Sequence, residues 1–237
     1  LISAYKPGMA FFFTKFFRNI ILIAVLFNAI NFYLKWKSYN ISAKDFKTAA
    51  ANSANENALS AISKLTSDLR RVYKEKVPYD LYWIPLSAGG LQLRAQFLYA
   101  DWTEYIAILA AGGNTVGRSG FHWSNNTCTV LTGQLVRYSD ALNGIVKESF
   151  TKGQNFRHGQ FESYIYEFTE GTHVACYGRG FVPASALWTT TGAISNGDPL
   201  AVAKVFYVYG KTVFENTFSW VTQLFHHYKD KATKFEL

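Results

Sequence analysis

The chain has 237 residues, of which 49% are hydrophobic and 17% aromatic, while only 17% are charged. Soluble domains ordinarily carry about 25% charged residues, so part of this surface is expected to face lipid or protein instead of water. The formal charge is +8, but the Lys and Arg residues are scattered or flank apolar segments, and no RNA- or DNA-binding signature is present; membrane flanks, not nucleic acid, are the expected reason.

The length suffices for one sizeable domain plus an anchor. Met9 is the only methionine and the chain opens at Leu1, so a further segment, such as an organelle-targeting peptide, is expected upstream. From Phe16 to Leu34 the run FFRNIILIAVLFNAINFYL carries Arg18 as its only charge. It is long enough to cross the roughly 30 Å of a bilayer core. Lys6, Lys15 and Arg18 flank it on one side and Lys35, Lys37, Lys44 and Lys47 on the other, with Tyr33, Trp36 and Tyr39 at an interfacial belt. Basic residues at both ends leave the orientation open. Asn28 and Asn31 lie inside the run at helical spacing. Amides are costly in lipid, so a contact with other membrane-protein subunits is expected there.

Residues 41–73 have helical spacing at Leu59, Ile62, Leu65 and Leu69, with Ser42 and Asp45 forming an N-terminal cap and Pro78 ending the region. Residues 79–182 are rich in Gly, Thr, Asn, Ser and aromatics. The stretch from Phe161 to Phe168 alternates with period two, as a strand does, and turns are expected at Gly112-Gly113-Asn114 and from Gly117 to Gly120. The stretch from Trp102 to Leu109 fits helix and strand alike. Several short strands point to a barrel or sandwich. Residues 183–228 return to helix-like sequence, first around Ala184, Leu187 and Ile194, then from Pro199 through Val202, Val205, Phe206, Tyr209, Val213, Phe214, Phe218 and Val221. These helices are expected to lie on a membrane or to cover the β-body. The polar tail from Lys229 is expected to be loose. The divisions are therefore an anchor segment at 1–40, a helical connector at 41–78, a β-body at 79–182 and C-terminal helices at 183–237. No Walker motif, GxGxxG, GxSxG, HExxH or metal-spaced Cys/His set occurs, and no cofactor or metal is expected.

The motifs follow one another in a specific order. Asp68-Leu69-Arg70-Arg71, Ala88-Gly89-Gly90 and Thr103-Glu104-Tyr105 come first. Gly117, Ser119-Gly120, Trp123 and the run from Thr129 to Gly133 follow, then His158-Gly159, Glu162 and Tyr177-Gly178-Arg179-Gly180 with Pro183. This order and spacing resembles the family of sigma-type non-opioid intracellular receptors and fungal C-8 sterol isomerases, as a divergent member, over nearly the whole chain. The resemblance implies an α+β fold: an N-terminal transmembrane helix, a cupin-like β-barrel and two C-terminal amphipathic helices on the membrane. It implies an apolar cavity for sterols or amphiphilic amines, with Tyr105, Trp123, Cys128 and Cys176 as candidate lining residues. Glu104 and Arg179 are its implied structural residues, Glu104 tying the barrel to the helix after the anchor. Receptor members form trimers, so a homotrimer and membrane lipids are the implied partners. The implied location is an internal membrane, mitochondrial inner membrane or endoplasmic reticulum.

In this family, moving a sterol double bond takes a proton donor, a base and negative charge beside a carbocation, roles that two carboxyl groups in an apolar cavity can fill. By motif position, one acid falls on Cys128 and the other on Cys176, the only two cysteines in the chain. A thiol is about four units weaker as an acid than Glu, or about 5–6 kcal/mol, and a neutral thiol cannot pair with an ammonium. The implied protein is therefore a degenerate relative without isomerase activity. It would act as a structural or accessory subunit of a larger membrane assembly, with a sterol- or lipid-binding protein and an active isomerase as alternatives. The cysteines could stay free, form a disulfide, or join His122 and His173 at a zinc ion. The sequon at Asn125 reads as structural.

Overall fold

The computed structural model describes residues 7–141 and 144–235. The chain divides into two compact units, Leu1–Ser38 and Tyr39–Leu237. The first is a single helix, α1 (Pro7–Trp36). Its stretch Thr14–Trp36, 23 residues, is long and apolar enough to cross a bilayer. Ile20, Ile21, Leu22, Ile23, Val25 and Leu26 are all exposed. Asn28 donates its side-chain amide to the Ala24 carbonyl of its own helix at 2.8 Å, so that donor is satisfied without a partner helix.

The second unit opens with α2 (Ala43–Ser53) and α3 (Ala58–Tyr73). The expected cap forms, with Ser42 Oγ accepting from the Asp45 backbone N–H at 3.3 Å. The expected continuous helix does not: Asn57 stops it by capping α3, its Oδ1 accepting from the N–H groups of Leu59 and Ser60. Ten strands follow: β1 (Trp83–Ala88), β2 (Leu91–Ala100), β3 (Glu104–Ala110), β4 (Thr115–Arg118) and β5 (Ser124–Thr132). After them come β6 (Gln134–Ala141), β7 (Gly144–Thr151), β8 (Asn155–His158), β9 (Ile165–Phe168) and β10 (His173–Gly180). The chain ends in α4 (Ser185–Ser195) and α5 (Pro199–Phe235).

The strands form two antiparallel sheets, in the orders β1-β2-β3-β10-β5-β8 and β4-β9-β6-β7. The expected barrel is therefore corrected to a pair of sheets that does not close. Among the described residues no ladder joins them; at one corner the Arg118 N–H donates to the Gly89 carbonyl at 2.8 Å and the Gln92 N–H to Thr115 Oγ1 at 2.9 Å. Three other expectations are corrected. Gly117 lies in β4, not in a turn. The strand expected from Phe161 starts only at Ile165, because Phe161 has φ +60° and Glu162 folds back to accept from the Gly159 N–H at 2.6 Å. The tail expected to be loose from Lys229 continues α5 to Phe235.

The six-stranded sheet is buried on both faces, which is why β5 and β10 lack the clean alternation of a one-sided strand. Its outer face packs on α2 and α3, where Phe46, Leu65, Leu69, Ile106, Leu131 and Tyr177 form one core. Alternate residues point between the sheets, where Leu93, Cys128, Phe156, Phe168, Val174 and Cys176 belong to a second. Helix α4 lies against β1 because Gly192 has no side chain; a Cβ there would sit 2.5 Å from Ala88. Asn216 and Tyr209 of α5 tie that helix to the end of β2, donating to the Ala100 and Asp101 carbonyls at 2.8 and 2.6 Å.

Candidate functional site: an apolar cavity with a disulfide in its wall

Between the inner faces of the sheets and helices α4 and α5 lies a cavity of about 680 Å³. Its walls are mainly aliphatic and aromatic, including Leu93, Phe97, Phe156, Phe168, Trp188 and Phe214. Volume and lining are those of a pocket for a small apolar molecule. Tyr105, Cys128 and Cys176 line it. Trp123 does not: its ring packs against Phe161 and Phe181, with centroids 5.8 and 5.3 Å away. The indole in the lining is Trp188.

Cys128 on β5 and Cys176 on β10 are directly opposite in the antiparallel register, with Cα atoms 4.1 Å apart. They form a disulfide. Of the three states open from sequence, this one holds, and it leaves no thiol to ligate zinc. His173 lies elsewhere, its Nδ1 within 2.8 Å of the Gly171 carbonyl and 3.0 Å of Thr132 Oγ1. Among the described residues no group of three or more His, Cys, Asp and Glu is placed to hold a metal.

No Asp, Glu, Lys or Arg is among the described residues that line the cavity. Glu104 sits on the opposite face of the sheet, fully buried. Its Oε1 accepts from the Asn40 N–H at 2.7 Å and its Oε2 from the Ile41 N–H at 3.1 Å, just before α2. Tyr177 Oη lies 3.1 Å from the same Oε2. Glu162 is exposed, and its carboxyl is held below the usual range by the Gly159 N–H and then by the Tyr164 hydroxyl. Glu167 accepts from Tyr138 Oη at 2.8 Å. The Arg179 guanidinium stacks 5.7 Å from the Tyr39 ring. Asn125 of the sequon accepts from Arg157 at 3.0 Å.

Apart from Tyr105, which the resemblance implied, the polar groups that line the cavity escaped the sequence reading. His122 Nε2 is 2.7 Å from the Ser119 carbonyl and its Nδ1 is 2.9 Å from Ser185 Oγ. His158 repeats the pattern, with Nε2 2.9 Å from the Glu162 carbonyl and Nδ1 3.2 Å from Tyr166 Oη. Burial, followed by the charge of nearby His158, lowers His122 to about 4, and burial lowers His158 as well. Burial raises the phenols of Tyr105, Tyr166 and Tyr209. Only Asn126 could have been found in advance, since strand alternation puts it on the same face as Cys128. The others meet through contacts distant in sequence.

A family model described as "ERG2 and Sigma1 receptor like protein" matches residues 17–220. The chain belongs to this family. Among its relatives, the sigma non-opioid intracellular receptor 1 of Taricha granulosa is 28% identical over 209 residues, covering 87% of this chain and 93% of the receptor. The C-8 sterol isomerase ERG2 of Gibberella zeae is 23% identical over 141 residues, covering 59% of this chain and 58% of the isomerase. Among solved structures, an RmlC-like cupin from Shewanella frigidimarina overlays 45% of this chain and 92% of its own, at 14% identity and a TM-score of 0.37.

Proposed function

We propose that this family member is an integral protein of an internal membrane that keeps a lipid-binding cavity and has lost the proton chemistry of a sterol isomerase. The observation that carries the reading is the Cys128–Cys176 disulfide inside a cavity lined by no carboxylate among the described residues. A disulfide has no proton to give, no lone pair basic enough to take one and no charge to set beside a carbocation. The carboxylates Glu104, Glu162 and Glu167 are engaged outside the cavity, so none replaces the missing acids.

Membrane attachment is supported by α1 and by the apolar side chains that α4 and α5 leave exposed, among them Leu187, Ile194, Leu200, Phe206, Phe214 and Phe218. Such a surface matches an acyl-chain boundary better than water. The second reading, an accessory subunit of a larger assembly, is supported by the polar residues Asn28 and Asn31 within the apolar run, since amides are costly in lipid.

The test is complementation of an isomerase-deficient yeast together with lipid analysis of the chain purified in mild detergent. Failure to complement despite good expression, with lipid retained in the purified chain, is expected. Growth on the chain alone would overturn the loss of chemistry. Co-purification of a stoichiometric set of other membrane proteins would support the accessory role, and a lone homotrimer would end it.

A further inference from the structure

We propose that the cavity selects a neutral amphiphile, an apolar body bearing a hydroxyl group, over amines and acids of the same shape. The inference rests on the lipid-cavity reading above and specifies what the ligand must carry.

The first ground is charge. A cation or anion taken into an apolar cavity loses its hydration, and only an opposite charge or several aligned dipoles restore the balance. The described lining offers no ionisable Asp, Glu, Lys or Arg side chain. Its two histidines are neutral at pH 7 because burial disfavours their charged forms, and their hydrogen bonds then fix the tautomer. The carbonyls of Ser119 and Glu162 can only accept, so Nε2 of His122 and of His158 each carries the proton. Each Nδ1 is then a lone pair, and it receives a hydroxyl proton from Ser185 or Tyr166. Burial lowers both rings, which keeps them neutral at pH 7. An ammonium or a carboxylate entering here meets no counter-charge within the described lining.

The second ground is where the hydroxyl protons point. Each hydroxyl has one proton and two lone pairs. Tyr105 spends its proton on Asn126 Oδ1 at 2.9 Å, and Tyr209 on the Asp101 carbonyl at 2.6 Å. Ser119, Thr189 and Thr217 spend theirs on the carbonyls of Gly120, Ala186 and Val213. With Ser185 and Tyr166 already counted, every hydroxyl in the described lining donates to the protein and keeps lone pairs for a ligand. The lining is therefore rich in acceptors, and Asn126 and Trp188 are lining residues whose side chains also carry N–H groups. A ligand hydroxyl can use both, giving its proton to an oxygen such as Ser185 Oγ and accepting from an N–H. A ketone can only accept, and an ether likewise.

The experiment titrates the delipidated full chain in detergent at pH 7 and reads tryptophan fluorescence. Matched ligands share a skeleton: cholesterol, its 3-ketone and its 3β-dimethylamine; then oleyl alcohol and oleylamine, with dioleoylglycerol as a third source of the hydroxyl. In the skeleton that binds best, the alcohol is expected to bind at least tenfold more tightly than the amine and several-fold more tightly than the ketone. Ser185→Ala is expected to narrow the alcohol–ketone gap while leaving ketone affinity within about twofold. Amines that bind as tightly as alcohols would overturn the selectivity and leave the lipid-cavity reading standing. A gap unchanged in Ser185→Ala would remove Ser185 as the anchor. If no ligand in the set binds, charged or neutral, the lipid-cavity reading falls and this inference with it.

Discussion

Replacing Glu104 with Gln is the sharpest test of how the helices are fastened to the six-stranded sheet. The carboxylate is fully buried and accepts from the backbone N–H groups of Asn40 and Ile41 at 2.7 and 3.1 Å, with Tyr177 Oη 3.1 Å from Oε2. Gln has the same shape but only one acceptor oxygen. Its NH2 group must face a backbone N–H, leaving one buried donor without a partner, and the remaining bonds lose their charge assistance. An unsatisfied buried donor costs about 1–3 kcal/mol, and bonds to a charged group exceed neutral ones by roughly 1 kcal/mol. The expected loss is about 2–4 kcal/mol. At 2–4 °C per kcal/mol for a domain of this size, melting should fall by roughly 4–16 °C. Circular dichroism melts of the detergent-purified chain measure it. Tyr177→Phe should cost less, because Glu104 keeps both backbone donors, and the double variant should cost less than the sum of the two, since they share one network. A Glu104→Gln variant melting within about 2 °C of the parent would refute the reasoning.

Four further outcomes are expected. Cys128→Ser with Cys176→Ser opens a loop of sequence separation 48; loop entropy sets an upper bound of about 4 kcal/mol, and the same loss should appear on adding reductant to the parent but not to the variant. Gly133→Ala should destabilise by about 2–4 kcal/mol in urea titrations, because φ is +76° there and a Cβ would lie 2.4 Å from Thr172 Oγ1. His122, lowered from 6.5 to about 4, takes up its proton more readily when unfolded. Its contribution is complete above pH 6.5 and is lost as pH falls towards 4, up to about 3 kcal/mol. His158 acts in the same direction. Melts between pH 7 and 4.5 should show this slope, and His122→Gln should reduce it. Finally, Cys128→Asp with Cys176→Glu places carboxylates in the cavity; amine affinity in fluorescence titrations should rise at least tenfold, and an unchanged affinity would deny that these positions face the ligand.

Local pattern was enough for some features. A long apolar run with few charges favours a helix wherever it sits, so α1 was legible, and so was the Ser42 cap. The ordered Gly, Thr and Trp motifs marked the family. They also singled out Cys128 and Cys176 together before any register was known. The break at Asn57 was missed because helical periodicity continues across it, and a side chain capping the next turn leaves the spacing of Leu59, Leu65 and Leu69 undisturbed. The interval from Phe161 to Tyr164 alternates like a strand, yet Glu162 finds a better partner in the Gly159 N–H than a ladder would offer.

By itself, the sequence determined the long apolar helix and the division into helices and short strands, because these depend on neighbours along the chain. Only the tertiary structure decided that the strands form two sheets without closing a barrel. It also decided that Cys128 stands opposite Cys176, and that Glu104 faces the helices while the histidines face the cavity. Those outcomes depend on register between residues up to 75 apart in the chain, as Arg179 and Glu104 are. Sheet pairing is specified by which faces can be buried together, a property of the assembled layers that no single strand carries.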